Sequence, residues 1–275
     1  MRREDKQNKA NTSSSSISTL HHNLQPFSNF LHHPSPQLNS SPTAIMAALP
    51  HNAHVSAHPC LRAKLSQLRS SSTNARDTKA LIHEIATIVG VEALAKVLDE
   101  KEAGTDTSPL SYPFPVSTIT PSHISLVPIL RSGLSMTDAL LSLLPDPVPV
   151  HHLGLYREKT TLQPVEYYNN LPYHGPSAAH PDTKGPADLA IVVDPVIATG
   201  ATACAAVDTL RDWGVKRVLV LAVLGSEEGV ARVAESWPEG VQLWVGGVDK
   251  ETDGKGMIKP GLGDVGDRLF LTLGK

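Results

Sequence analysis

An apolar strand, one acid and a turn of small residues that opens a helix follow one another between Leu189 and Thr202, in L-A-I-V-V-D-P-V-I-A-T-G-A-T. Leu189 to Val193 is short and apolar, the pattern of a strand buried on both faces, and Ala201 to Trp213 carries helical periodicity through Ala205, Ala206, Val207 and Leu210. In the turn between them Ala198, Thr199, Gly200, Ala201 and Thr202 have little side-chain bulk. Successive backbone N–H groups there can converge on one anion, where the helix dipole also favours negative charge. Thr199 and Thr202 add hydroxyl donors. Asp194 is the only acid of the segment and is badly placed to hold phosphate, so its expected partner is a sugar hydroxyl or a magnesium-bound water. These residues point to a phosphorylated sugar. A nucleoside triphosphate is disfavoured, because the chain has no G-x-x-x-x-G-K-[ST] loop.

Three more segments carry groups suited to the rest of such a ligand. In V-P-I-L-R-S-G, residues 127–133, Arg131 follows an apolar run and its guanidinium suits a diphosphate, while Gly133 is expected to let backbone approach the ligand. The ordinary alternative is a surface arginine at a strand end. In G-L-Y-R-E-K-T-T-L-Q-P-V-E-Y-Y, residues 154–168, Arg157, Lys159, Thr160 and Thr161 form a polar turn between two strands, the composition of a hairpin that folds over bound phosphates. A plain exposed hairpin has the same composition. Residues 256–270, G-M-I-K-P-G-L-G-D-V-G-D-R-L-F, hold four glycines and a proline. Backbone so exposed can read a flat heterocycle by hydrogen bonds, which rejects analogues with the wrong donor pattern. Such a stretch is more often a structural loop.

Positioning these segments takes an alternating frame. Strand-like runs stand at Ile124–Val127, Val148–Leu153, Ala190–Val193, Val218–Val223 and Val241–Val245, with helical stretches at Leu134–Leu144, Ala201–Trp213 and Glu227–Ser236. Ahead of them, apolar positions from Ala75 to Leu98 recur at three and four, giving one helix or a pair broken near Gly90. The alternation predicts an α/β fold with a parallel sheet, helices on both faces and ligands beyond the carboxyl ends of the strands. The folded part is expected to begin near Val55, and Tyr173–Pro186 reads as a surface loop.

With 275 residues and 40% hydrophobic content the chain can bury one sizeable core, and a formal net charge of −3 gives no footprint for nucleic acid. No apolar run approaches a membrane span. Cys60 and Cys204 stand far apart, which fits a reducing compartment, and each is read as a small core residue. Residues 1–50 are polar and of low complexity, with Ser13–Ser16, His21-His22 and His32-His33, and read as a disordered tail ahead of a domain at 51–275. Glu4 and Asp5 argue against a transit peptide, and Met46 is a second candidate start.

The strand, acid and A-T-G-x-[ST] turn resemble the phosphoribosyl-diphosphate loop of the phosphoribosyltransferases. From His58 onward, H-P-C-L-R-A-K-L-S-Q-L-R, P-I-L-R-S-G-L, G-L-Y-R with L-Q-P-V-E-Y-Y, V-V-D-P-V-I-A-T-G-A-T and P-G-L-G-D-V-G-D-R together resemble uracil phosphoribosyltransferases. That resemblance implies a Rossmann-like type I phosphoribosyltransferase core with a C-terminal hood over the base. It implies a pentosyltransferase of pyrimidine salvage, making UMP and diphosphate from uracil and phosphoribosyl diphosphate. Arg131 and Arg157 would contact the diphosphate. Asp194, Pro195, Val196, Ile197, Ala198, Thr199, Gly200, Ala201 and Thr202 would hold the ribose and its 5′-phosphate. Met257, Ile258, Gly263, Asp264 and Val265 would line the uracil site, with Asp264 also near the diphosphate end. Arg131, Arg157, Asp194 and Asp264 are thus the expected catalytic set. Mg²⁺ would arrive on the substrate rather than on protein ligands. The resemblance also implies a cytoplasmic (or nuclear) homodimer or homotetramer, with GTP as an activator.

The chain departs from the family's usual residues at several positions. Ala201 stands for a second glycine, Met257 for a tyrosine, Val265 for an alanine, Ala63 for a histidine, and Gly225–Gly229 for A-A-P-E-G. These departures leave open a second reading, a non-catalytic sensor of phosphoribosyl diphosphate or a nucleotide. Within the enzyme class another base, cytosine or a purine, is the alternative substrate. An RNA-binding regulator is disfavoured, because the chain lacks a basic stripe with aromatics.

Overall fold

The computed structural model describes residues 49–158, 161, 163–172 and 185–272. The tail expected over residues 1–50 lies outside them save for its last two residues, as do Lys159, Thr160 and most of the Tyr173–Pro186 insertion; Arg157 is described in its backbone alone. The chain opens with β1 (Ala53–Val55), α1 (Pro59–Arg69) and α2 (Ala75–Val97), then pairs β2 (Asp99–Thr107) with β3 (Pro113–Thr120). Next come β4 (Ile124–Leu130), α3 (Leu134–Leu141), β5 (Leu153–Arg157), β6 (Pro164–Asn169), β7 (Leu189–Val193), β8 (Val196–Ile197) and α4 (Ala201–Trp213). The last part holds β9 (Arg217–Ala222), β10 (Leu224–Ser226), α5 (Glu227–Ser236), β11 (Val241–Val245), β12 (Val248–Asp249), β13 (Glu251–Thr252), β14 (Ile258–Lys259) and α6 (Val265–Phe270).

Seven strands make one sheet in the order β1-β11-β9-β7-β4-β5-β6. Each pairs in parallel with its neighbour except β6, which turns back antiparallel on β5. The chain leaves β4 for β5 on one side and β7 for β9 on the other. The connections therefore diverge between β4 and β7, and a crevice opens at the carboxyl ends of these two strands.

Period-two alternation divides the strand side chains between two cores. Ile124, Leu126, Ile191, Leu219 and Leu221 pack with Leu61, Leu68, Ile82, Ile85, Met136 and Leu140 of α1, α2 and α3. Val127, Ile129, Val192, Val220 and Leu243 pack with Ala206, Val207, Leu210, Val230 and Val233 of α4 and α5. Each fully buried leucine, isoleucine or valine contributes roughly 1.5–3 kcal/mol of transfer free energy, so the frame around the crevice is held from both faces.

The expected alternation is present, with differences of extent. Residues 75–97 form one helix, started by the Asn74 side chain accepting from the Asp77 N–H. Gly90 does not break it, because a Cβ there would meet the Leu143 and Leu140 methyls at 2.8 and 2.9 Å; the glycine lets the neighbouring helix approach. Val148–Leu153 is not a strand: only Val150 bridges to Leu126, and pairing proper begins at Leu153. The helix expected at Leu134–Leu144 ends at Leu141. Cys60 is exposed on α1 and not in the core, whereas Cys204 is half-buried and packs against the second core. The β2–β3 arm was not expected: its nine β2 residues are all exposed, so no apolar alternation marks them.

Candidate active site

β7 ends at Val193, Asp194 follows it, and the chain turns through β8 into α4. Gly200 is the N-cap residue of α4, in the left-handed region at φ 77°, with no side-chain cap and no acid in the first turn. α2, α5 and α6 are capped by Asn74, Ser226 and Asp264; α1 and α3 also start without a side-chain cap or an acid, but of these three uncapped helices it is α4 whose N-cap residue lines the cleft. The first amides of a helix have no intrahelical acceptor, so the start of α4 is left with donors for an anion. Ala198, Thr199, Gly200 and Thr202 line a cleft of about 260 Å³ at this point, together with Val196 and Ile197. Pro195 and Ala201 are not among its lining residues. The Pro195 carbonyl accepts from the Val223 and Leu224 amides, and Ala201 is buried.

Asp194 lines the cleft with only 9% of its surface exposed. Burial pushes its carboxyl up to about 7, against the opposing pull of hydrogen bonds from the Ser132 hydroxyl and the Val196 amide. The Ser132 contact measures 3.0 Å and ties the end of β4 to the end of β7 across the crevice. Sequence reasoning passed over Ser132, although its place after Arg131 was the available signal.

At the end of β4, Gly133 serves the protein's own backbone rather than a ligand. A Cβ there would stand 2.4 Å from the Val193 carbonyl oxygen and 2.7 Å from the Ile129 backbone. Arg131 is exposed at the rim of the cleft; its guanidinium lies 5.3 Å from the centroid of the Phe270 ring, and one of its nitrogens stands 3.9 Å from where a Cβ on the lining residue Gly266 would be. The expected hairpin is present, with β5 and β6 paired from Leu153–Asn169 to Arg157–Pro164.

The hood is built from β13, β14 and the loop into α6. Met257, Ile258, Gly263, Asp264 and Val265 all line the cleft, joined by Gly256, Leu262 and Gly266. Ile258 and Val265 are also buried in the first core, which fixes the hood from behind. Gly261 needs its left-handed φ of 63°, and a Cβ would meet the Ile258 carbonyl oxygen at 2.1 Å. Asp264 caps α6 by accepting from the Asp267 amide at 2.9 Å. The spacing G-x-G-x-x-G occurs here as Gly261, Gly263 and Gly266. It follows a two-residue strand of an antiparallel pair and runs into a six-residue helix, outside the parallel βαβ unit that a dinucleotide site requires.

Three residues that the sequence reading missed hold the hood to the body. Arg69 at the end of α1 pairs with Asp249 through two bonds of 2.7 Å, and also donates to the Gly261 carbonyl. Asp249 accepts the Gly261 amide in turn, at 2.9 Å. Arg268 reaches back to the carbonyls of Leu68 and Leu262. Asp253 turns the hood's tip, accepting the Lys255 and Met257 amides; the Met257 amide in particular holds its carboxyl below the usual range. The signal lay in L-R at the end of one helical run and V-D after a strand, which gain meaning only once topology brings them together.

The cleft thus joins an uncapped helix start, a buried acid and a glycine-bearing hood. Its lining carboxylates are Asp194 and Asp264 alone, and no cluster of three or more His, Cys, Asp or Glu side chains exists among the described residues. Two carboxylates fit a magnesium ion that brings its own oxygen ligands on a diphosphate. The arrangement can hold a phosphate, a polyhydroxylated sugar and a flat heterocycle in sequence.

A family model described as uracil phosphoribosyltransferase matches residues 55–272. The uracil phosphoribosyltransferase of Roseiflexus castenholzii is 41% identical over 218 residues, which is 79% of this chain and 97% of that protein. That of Listeria innocua is 37% identical over 221 residues, 80% of this chain and 99% of the relative. Among solved structures, the AQ2163 protein of Aquifex aeolicus matches with a TM-score of 0.68 at 30% identity, covering 79% of this chain and 97% of that one.

Proposed function

The chain belongs to the uracil phosphoribosyltransferase family, and from that membership and the cleft we propose that it transfers the phosphoribosyl group of phosphoribosyl diphosphate to uracil. The products are UMP and diphosphate. The observation that carries this reading is the start of α4, uncapped and free of acids, facing a glycine-rich hood across one cleft.

N1 of uracil attacks C1 of the ribose; the C1–N1 bond forms, N1 gives up its proton, and the C1–oxygen bond breaks with its electron pair leaving on diphosphate. The transition state has oxocarbenium character, so the protein's task is position and charge. The amides from Ala198 to Thr202 and the Thr199 and Thr202 hydroxyls hold the 5′-phosphate. Asp194 accepts from the ribose hydroxyls. Arg131 and Arg157 face the diphosphate, Arg131 from the rim beside Gly266. Met257, Ile258, Gly263, Asp264 and Val265 hold the base. Asp194 and Asp264 would flank a magnesium ion brought in by the substrate, which when bound would neutralise charge on the leaving diphosphate. Closure of the β5–β6 hairpin excludes the water that would hydrolyse the activated sugar.

The same reading includes self-association as a homodimer or homotetramer, activation by GTP, and a cytoplasmic or nuclear setting. The β2–β3 arm supports self-association: it exposes Leu110, Tyr112 and Phe114, and a two-stranded ribbon is marginal without something to pack on. No helix among the described residues is long and apolar enough to cross a membrane.

The test is incubation with Mg²⁺, phosphoribosyl diphosphate and radiolabelled uracil, beside an Asp194→Asn control. Labelled UMP that depends on Asp194 is expected. No UMP, with the sugar diphosphate still bound, would replace the transferase by a sensor.

A further inference from the structure

We propose that Ser226 and Arg232 are positioning residues of the phosphate loop, two struts from α5 that turn consecutive loop carbonyls away from the substrate. This rests on reading the Ala198–Thr202 turn as the 5′-phosphate site. Ser226 is 1% exposed and stands between β10 and α5. Its hydroxyl donates to the Ala198 carbonyl at 2.5 Å and accepts the Gly229 amide at 2.9 Å. Six residues further along the helix, the Arg232 guanidinium donates to the next carbonyl, Thr199, at 3.3 Å.

Backbone packs on backbone between these struts. A Cβ on Gly229 would stand 2.2 Å from the Ala198 carbonyl oxygen, and one on Gly200 would stand 2.8 Å from the Gly229 carbonyl oxygen. A peptide whose carbonyl is fixed on one side presents its amide on the other, so fastening the 198 and 199 carbonyls to α5 aims the amides of Thr199 and Gly200 at the cleft. The Ser226 strut lies within G-S-E-E-G, residues 225–229, whose last glycine packs on the same carbonyl. Arg232 also brings a positive charge beside the anion site, on the solvent side.

The experiment measures phosphoribosyl diphosphate binding by calorimetry in Mg²⁺, and KM for each substrate, on the full chain and on Ser226→Ala and Arg232→Ala. Ser226→Ala is expected to raise Kd and KM for the sugar diphosphate roughly tenfold, the size of one buried hydrogen bond. Its KM for uracil should stay within about twofold, a split that general loosening of the fold does not produce. Arg232→Ala removes an exposed side chain, keeps the α5 cap, and is expected to raise the same Kd about threefold, less at high salt. Unchanged sugar-diphosphate affinity in both variants would overturn the proposal, as would equal weakening for both substrates. Failure of the unaltered protein to bind phosphoribosyl diphosphate would overturn the reading of the loop itself.

Discussion

Asp194 carries the sharpest conflict between folding and function. A carboxyl raised from 3.8 to about 7 is one that the folded state holds protonated more readily than the unfolded chain does. Its burial costs nothing below the unfolded value, grows more costly as the pH rises between the two values, and reaches its full cost above about 7. Asp194→Asn should therefore melt at a higher temperature than the parent at pH 8, with the advantage shrinking towards pH 4 in thermal scans. The same substitution should abolish UMP formation. In the parent, kcat/KM for the sugar diphosphate should fall as the pH drops below about 7, because the free enzyme then loses the carboxylate that accepts the ribose hydroxyls. A flat profile, together with a lower melting temperature for the Asn variant at pH 8, would contradict the account. The acid itself was legible in the sequence from its place after an apolar strand. Its raised pKa was not, because desolvation comes from neighbours that only the sheet assembles.

At the level of elements, the divergence of connections between β4 and β7 explains why segments 60 residues apart in the chain share one cleft. The hood has the opposite origin, since it is short, rich in glycine and held by charge. Arg69 and Asp249 bind each other in a fork-to-fork pair with the carboxylate 9% exposed, and removing one partner of such a pair leaves the other buried and uncompensated. Asp249→Asn should lower the melting temperature and raise KM for uracil tenfold or more, while affinity for phosphoribosyl diphosphate stays within about threefold. Equal loss for both substrates would show that the pair supports the whole fold rather than the hood. The strands and helices of the sheet were readable because burial on both faces writes apolar runs and three-and-four periodicity. The β2–β3 arm was not, since D-E-K-E-A-G-T-D-T faces solvent throughout and is paired by its backbone and by a bond from the Ser117 hydroxyl to Glu100, neither of which writes an apolar pattern.

For the whole molecule, the binding machinery read from the sequence divides into two groups. Asp194, the small-residue turn and the five hood residues meet in one cleft. Arg131 stands at its rim between Phe270 and Gly266, and the side chain of Arg157 lies beyond the described residues. Local motifs fix which backbone faces a ligand, and that is legible in one dimension. The resting place of a long cationic side chain is not, because it depends on neighbours that only the fold supplies. Catalysis then depends on all parts acting together, and it separates a transferase from a binder and from a hydrolase. The most direct measurement is phosphorus NMR of phosphoribosyl diphosphate mixed with the protein and Mg²⁺, before and after uracil is added. The account predicts a stable sugar diphosphate until uracil enters, then free diphosphate and UMP in equal amounts. Diphosphate released without uracil, or an unchanged spectrum after uracil, would contradict it.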